Sequence, residues 1–406
     1  MLTRQTRVSH ASAQEPRLRR SSLLTIHLLV FLDMVGFGVL LPLLPYVALR
    51  YGASGLGVGA ILSAYSVAQL VGAPLWGRLS DRFGRRPVLL TTLVGSTISL
   101  TATGFSDSLA TLLLARALAG LFAGSLSTAQ AAVADVSPPE ERARSLGLLG
   151  ATIGVGFIFG PAVGGFLSAW GFATTCFVTA AFSGINLVLA SFVLVETRPA
   201  GSESKARPIF ARPRVSPHLA RLLASMFLAM LAFVALETTF PLLAESRFGI
   251  TGRGMSAIFA GLGVVIVIVQ GGLVGRLTRR LGSRRLAISG AALMGLASIA
   301  VGFTPTLGLT LVMVGLLSAG QGLVRPSLAA LVSLSEGAGQ QGAVLGLGQS
   351  MGAAARAVGP LAAGWLFDRS EAAPYVAAGV ASLAVVALLR GLREADGSLA
   401  GEPHGR

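Results

Sequence analysis

From Met255 to Val274 the chain runs for a full bilayer-crossing length without one Asp, Glu, Lys or Arg. About 20 apolar residues wound as an α-helix rise roughly 30 Å, the thickness of bilayer hydrocarbon. A second long run, Leu109 to Val133, carries Arg116 as its single charge. One such segment can hide in the core of a soluble protein; a succession of them cannot, because too few polar residues remain to face water. Of the 406 residues 53% are hydrophobic and 12% charged, against roughly a quarter charged in a soluble domain. An all-α integral membrane protein is expected.

Gly, Pro and Arg punctuate the apolar stretches. They divide the chain into spans at 23–49, 57–77, 87–105, 109–134, 143–168 and 172–195, then at 219–245, 255–275, 286–304, 306–332, 340–366 and 373–392. This predicts 12 transmembrane helices arranged as two pseudo-symmetric bundles of six, residues 23–195 and 218–392. Residues 196–217, rich in proline and charge, read as a linker too short for a domain; 1–22 and 393–406 read as tails.

The halves resemble each other. GRLSDRFGRR, Gly77 to Arg86, recurs as GRLTRRLGSRR from Gly275, 198 residues later. PLLP at Pro42 to Pro45 matches PLLA at Pro241 to Ala244, and Gly160-Pro161 matches Gly359-Pro360, each pair 199 apart. A near-constant offset over separated markers indicates duplication of a six-helix unit, the usual construction of secondary transporters.

A net charge of +15 raises nucleic acid as a partner, but the arginines flank apolar spans instead of lining one face, so no nucleic-acid binding is expected. Arg50, Arg247, Arg253 and Arg369 fall on one side of the predicted topology, and Arg116, Arg325 and Arg356 fall inside spans. The rest of the 32 basic residues fall on the other side, with both tails. By the positive-inside rule both termini are cytoplasmic in a multi-pass cell (plasma or inner) membrane protein. The basic segment before residue 23 reads as a cytoplasmic tail, not a signal peptide: the apolar run after it is long and contains Asp33. Cys176 is the lone cysteine, and His10, His27, His218 and His404 are scattered. No metal site, cofactor or enzymatic constellation is expected, and the chain has no G-x4-G-K-[ST] phosphate loop.

G-x-L-x-D-R-x-G-R-R after the second span resembles the signature loop of the major facilitator superfamily, and the copy after the eighth is similar to that family's degenerate repeat. In the fifth span Gly147, Gly156, Gly160, Pro161, Gly164 and Gly165 form G-x8-G-x3-G-P-x2-G-G. This resembles the antiporter motif of the 12-helix drug:proton antiporter branch, and LDMVGFGVLLPLLP in the first span is similar to the tetracycline-efflux proteins. The resemblance implies that Gly77, Asp81, Arg82, Gly84, Arg85 and Arg86 form a gating loop, with Asp81 latching against helix N-termini and charges such as Asp135 and Arg142. Those antiporters carry acids on the third and ninth helices and a histidine on the eighth. Here the third and ninth spans have no acid and the eighth has Gln270, so tetracycline is not implied as the substrate.

Glycines in membrane helices serve close packing whatever the protein does, and Gly154, Gly156, Gly160 and Gly164 lie near one helical face. The ionisable residues inside spans say more. A charge at the bilayer centre costs about 2.5–3.5 kcal/mol on insertion scales, so such a group faces a cavity or a partner. Asp33 and Arg116 either form a buried ion pair that fixes packing or, with Glu237, carry the coupling proton. Glu237 is the first proton carrier to consider, since no basic residue lies near it in sequence. Gln130 one face along from Arg116, Gln321 with Arg325, and Gln349 with Arg356 put polar stripes on the fourth, tenth and eleventh spans. They are expected to line a substrate cavity, and arginines there suit an anionic or zwitterionic substrate. The expected function is proton-coupled efflux of small amphipathic compounds by a monomer. The alternatives are a symporter or facilitator for a sugar, organic acid or lysophospholipid on the same fold, and a membrane receptor or scaffold that transports nothing.

Overall fold

The computed structural model describes residues 5–138, 141–198, 215–335 and 341–391. Every described element is helical: α1 (Gln5–Leu40), α2 (Leu44–Arg50), α3 (Gly55–Phe83), α4 (Arg85–Gly104), α5 (Leu109–Leu121), α6 (Ser125–Val136) and α7 (Arg142–Leu167) come first. They are followed by α8 (Phe172–Val193), α9 (Pro217–Phe248), α10 (Gly252–Ile268), α11 (Val274–Val301), α12 (Leu307–Leu334), α13 (Gln341–Phe367) and α14 (Ala373–Arg390). Among the described residues ten stretches are long and apolar enough to cross a membrane; one, Gly252–Val301, is fifty residues long. It bends at Gly282, whose φ of 76° and ψ of 157° are not helical. The chain is thus a multi-pass, all-α membrane protein. Phe192, Leu334 and Phe105, 84%, 75% and 74% exposed, occupy a surface that lipid and not water must cover.

Helix starts are set by local chemistry. Ser54 accepts a hydrogen bond from Gly57 N at 3.3 Å at the head of α3, and Ser108 and Thr111 form a reciprocal capping box on α5. Pro74, Pro161, Pro241, Pro326 and Pro360 lie inside continuous helices, as membrane helices tolerate when neighbours satisfy the freed carbonyls.

Two expected helices are divided. The first span breaks after Leu40 and resumes as α2, with Pro45 at its opening turn. The fourth breaks over Phe122 to Gly124, where a β-carbon on Gly124 would lie 2.4 Å from Trp76 Cβ. A five-residue π-helical turn, Val269–Leu273, separates α10 from α11.

The chain sorts into two compact units. The first comprises Met1–Ile209, Glu237–Val267 and Arg356–Glu371. In it α1 packs on α7 and α8, α3 on α5, and α4 on α8. One core joins Ile26 and Leu29 to Leu93, Ala129 and Leu149, another Leu40 to Ile61, Leu112 and Cys176. The second comprises Phe210–Leu236, Ile268–Ala355 and Ala372–Arg406. There α11 packs on α12 and α14, around Leu222, Ala287, Leu328 and Leu389.

The repeat read in the sequence is visible in backbone and contacts. Gly84 has φ 104° and Gly282 φ 76°, both in the region that favours glycine. Arg86 Nη2 donates to Ser191 O at 2.7 Å, and Arg284 donates to Leu389 O and Arg390 O at 3.0 Å each. Both the two arginines and the two carbonyl residues Ser191 and Leu389 are 198 positions apart, so each copy seals the end of its last helix with the same loop arginine.

Candidate transport site

The fifth-span glycines build the scaffold of the site. A β-carbon on Gly160 would lie 2.5 Å from Gly38 Cα and 2.9 Å from Val35 O; one on Gly156 would lie 2.6 Å from Met34 Cβ. A β-carbon on Gly164 would run into the Val39 carbonyl, and one on Gly165 would lie 2.7 Å from Ser256 Cβ. Positions 156, 160 and 164 therefore let α7 seat on α1, which carries Asp33 and Phe37. Gly147 and Gly154 have no neighbour within 4 Å. They share the motif or its face by sequence and take no part in this contact.

At this level of the first unit the ionisable residues gather round Tyr65, which the sequence reading did not single out. The Arg116 guanidinium lies 4.6 Å from the Tyr65 ring centroid, and Asp33 and Arg356 lie within electrostatic range of the same side chain. Phe37 packs on Tyr65 with the rings tilted by 48° and 5.0 Å between centroids, and meets Phe157 edge-on at 5.6 Å. Glu237 in turn lies within electrostatic range of Arg356.

Asp33 and Arg116 do not pair. Asp33 accepts a hydrogen bond from Ser125 Oγ, placed at the first turn of α6 by the break in the fourth span. Arg116 is 5% exposed, and its Nε is buried without a hydrogen-bond partner. No acid stands within ion-pair distance of it among the described residues. The Arg116 guanidinium, set against an aromatic ring with its Nε unpartnered, is electrostatically incomplete, since a cation–π contact contributes about 0.5–2 kcal/mol while an uncompensated buried charge costs about 3–5 kcal/mol.

Among the other expected cavity residues, Gln130, Arg325 and Gln349 are exposed and Arg356 is half-buried. Gln321 in α12 is buried, with its Oε1 unpartnered. Gln321, Arg325 and Gln349 belong to the second unit, Gln130 and Arg356 to the first. An apolar groove of about 350 Å³ lies beside α3 in the first unit, lined by Ala60, Ala64, Ala68, Val71, Ala117 and Leu361 among others.

The loop after α3 is held by charge. Arg85 binds Asp81 through Nη1 and Asp135 through Nε at 2.9 Å, and also donates to Ser80 Oγ at 2.8 Å. Asp81 thus answers an arginine of its own loop, and Arg142, exposed at the start of α7, makes no ion pair with it among the described residues. Glu196, another residue the sequence reading missed, accepts from Arg85 N at 2.8 Å, Arg86 N at 3.1 Å and Arg198 N at 3.0 Å. Arg198 Nη1 reaches Arg82 O at 2.6 Å. Partial burial pushes the Glu196 carboxyl up, but the amides of Arg198, Arg85, Arg86 and Thr197 outweigh it and hold it below the usual carboxylate range. The one available signal was an acid placed directly after an apolar span; that Gly84 leaves it room shows only in the fold.

Known proteins resemble this chain over most of its length. A family model described as Major Facilitator Superfamily matches residues 26–360 and 271–404. Multidrug resistance protein 2 of Bacillus subtilis (strain 168) is 30% identical over 363 residues, 86% of this chain and 90% of the relative. The class E tetracycline resistance protein of Escherichia coli is 30% identical over 354 residues, 84% of this chain and 87% of the relative. The crystal structure of the human organic anion transporter MFSD10 (TETRAN) aligns with a TM-score of 0.70 at 27% identity, covering 91% of this chain and 99% of that one.

Proposed function

Since the chain belongs to the major facilitator superfamily, whose members are secondary transporters of small solutes and not enzymes, we propose that its substrates are organic anions bound at Arg116 and Tyr65. The observation that carries this reading is the buried Arg116 guanidinium with no acidic partner. A substrate carboxylate, sulfonate or phosphate completes that site, and the ring of Tyr65 with Phe37 stacks on the organic part. Arg356, within electrostatic range of Tyr65, adds positive potential, and the similarity to a human organic anion transporter supports the same class.

In this reading the twelve spans form two halves with cytoplasmic termini in the cell membrane. Asp33 and Glu237 carry the coupling proton. Gln130, Gln321, Arg325 and Gln349 line the path, and the loop from Gly77 to Arg86 gates its cytoplasmic end, with Asp81, Asp135 and Arg142 as its charges. The protein works as a monomer.

Purified protein in liposomes tests the substrate class. Saturable flux of an aryl carboxylate or sulfonate is expected, with loss of most of it in Arg116→Gln and in Arg116→Lys, because an ammonium lacks the flat face that stacks on Tyr65. Flux confined to lipophilic cations such as ethidium, unaffected by Arg116→Gln, overturns it. A second reading, proton-driven export of amphipathic drugs, is favoured by the seating of α7 on α1 at the antiporter-motif glycines and by the similarity to a multidrug resistance protein. Ethidium efflux driven by an imposed proton gradient selects that reading.

A further inference from the structure

The end of the first unit away from the Gly77–Arg86 loop carries a contact that neither motif nor repeat announced. Asp368, just past the last turn of α13, accepts from Gly55 N at 2.6 Å through Oδ1 and from Leu56 N at 2.9 Å through Oδ2. Gly55 and Leu56 are the first residues of α3. Their amides have no acceptor within their own helix, and the helix dipole adds positive potential there. One carboxylate more than 300 residues away in sequence occupies two of them.

The helices beneath are closed to match. A β-carbon on Gly55 would lie 2.7 Å from both Asp368 Oδ1 and Gly364 O; one on Gly364 would run into the Gly55 carbonyl, and one on Gly59 into the Pro360 carbonyl. Small residues on α3 and α13 bring the two backbones together over one turn, so the carboxylate reaches the amides only while the helices touch. At the same end Glu371 binds Arg247 Nε at 2.7 Å and Ser246 Oγ at 2.8 Å, and Gly165 lies against Ser256.

We propose that Asp368 is the clasp of the outer gate: its carboxylate, seated on the α3 N-terminus, holds α3 and α13 closed at this end and must be released for the transport path to open there. The proposal rests on the chain being a transporter and is independent of which substrate it carries. Asp368 is a positioning residue that touches no substrate. Gly55 and Gly364 are its supports, because a side chain at either site displaces the carboxylate or the carbonyl beside it.

The test reads gate opening without substrate, so its outcome stands apart from the anion reading. Ser256, fully buried at the same end and with its hydroxyl donating to Gly252 O of its own helix, is replaced by cysteine in a Cys176→Ala background, and labelling by a bulky maleimide is timed on the purified protein in detergent. Asp368→Ala and Gly55→Ala are each expected to speed labelling about tenfold, the loss of two partly solvated charge-assisted hydrogen bonds. Asp368→Asn, which keeps one acceptor and loses the charge, is expected to give a smaller gain in the same direction. Labelling within twofold of the parent in Asp368→Ala and Gly55→Ala, with monodisperse elution, overturns the clasp. Where those two variants do not fold, an unchanged rate in Asp368→Asn overturns it equally.

Discussion

Replacing Gly160 by alanine tests whether the fifth-span motif seats α7 on α1. The added carbon would stand 2.5 Å from Gly38 Cα, 2.7 Å from Gly38 C and 2.9 Å from Val35 O. All three are backbone atoms, so no rotamer change relieves the overlap, and ordinary contact near 3.5–4.0 Å requires the helices to part by about 1 Å. Overpacking of this kind costs about 1–3 kcal/mol. The same change at Gly147, where nothing lies within 4 Å, brings no clash and gains the roughly 0.5–1 kcal/mol by which alanine exceeds glycine in a helix. Cys176, fully buried and the only cysteine, supplies the assay: a thiol-reactive dye reports its exposure on heating. At roughly 2–4 °C per kcal/mol, Gly160→Ala is expected to unfold several degrees below the parent and Gly147→Ala at or slightly above it. Equal midpoints for the two variants refute the packing argument. Proton-driven flux in Gly160→Ala is expected to fall further than stability does, since Asp33 and Phe37 ride on the displaced helix.

Two further outcomes are expected. Asp33→Asn and Glu237→Gln should each abolish pH-driven flux in liposomes while sparing counterflow driven by a substrate gradient, because an amide cannot alternate between charged and neutral forms; full coupling in both variants removes these residues from the mechanism. Glu196, with its carboxyl held below the usual range, stabilises the start of α4 above the carboxylate's unfolded pKa and loses that effect as pH falls through the lower folded value; the protection factors of the Arg85 and Arg86 amides, exchange rates corrected for the pH dependence of the free peptide, should therefore fall on acidification and in Glu196→Gln at neutral pH, and unchanged protection in that variant refutes the assignment.

The helical architecture was legible because lipid imposes it: a long apolar run can satisfy its backbone only as a helix. The repeat was legible because the same residues recur at the same offset, down to Gly84 with Gly282 and Arg86 with Arg284. Contacts between helices were not, since periodicity gives the face of a helix and not what stands opposite. Asp33 and Arg116 looked like partners by charge, yet each takes a neutral neighbour, Ser125 and Tyr65. Gly147 belongs to the motif by spacing and Gly154 to its face, but neither touches α1. Tyr65 was hidden as one aromatic residue in an apolar span, and Glu196 and Asp368 as single acids just past helix ends. Each gains its meaning from backbone amides that only the folded chain brings to it. The break at Gly124 escaped notice because the side chain that stands against it, Trp76, comes from another helix.

Arg86 and Arg284 bear on how such a chain could arise. The last carbonyls of a helix need partners, and here a loop arginine from within the same copy meets them for α8 and again for α14. Among the described residues beyond each helix, only the next one contributes a backbone bond to these ends, Leu194 N to Ala190 O and Gly391 N to Ala387 O. α8 is followed by LVETRPAGSE and α14 by GLREADGSLA, which share little beyond an arginine, an alanine and a Gly-Ser pair. A unit that fastens its own final helix can be joined head to tail with a second while asking little of the peptide between them.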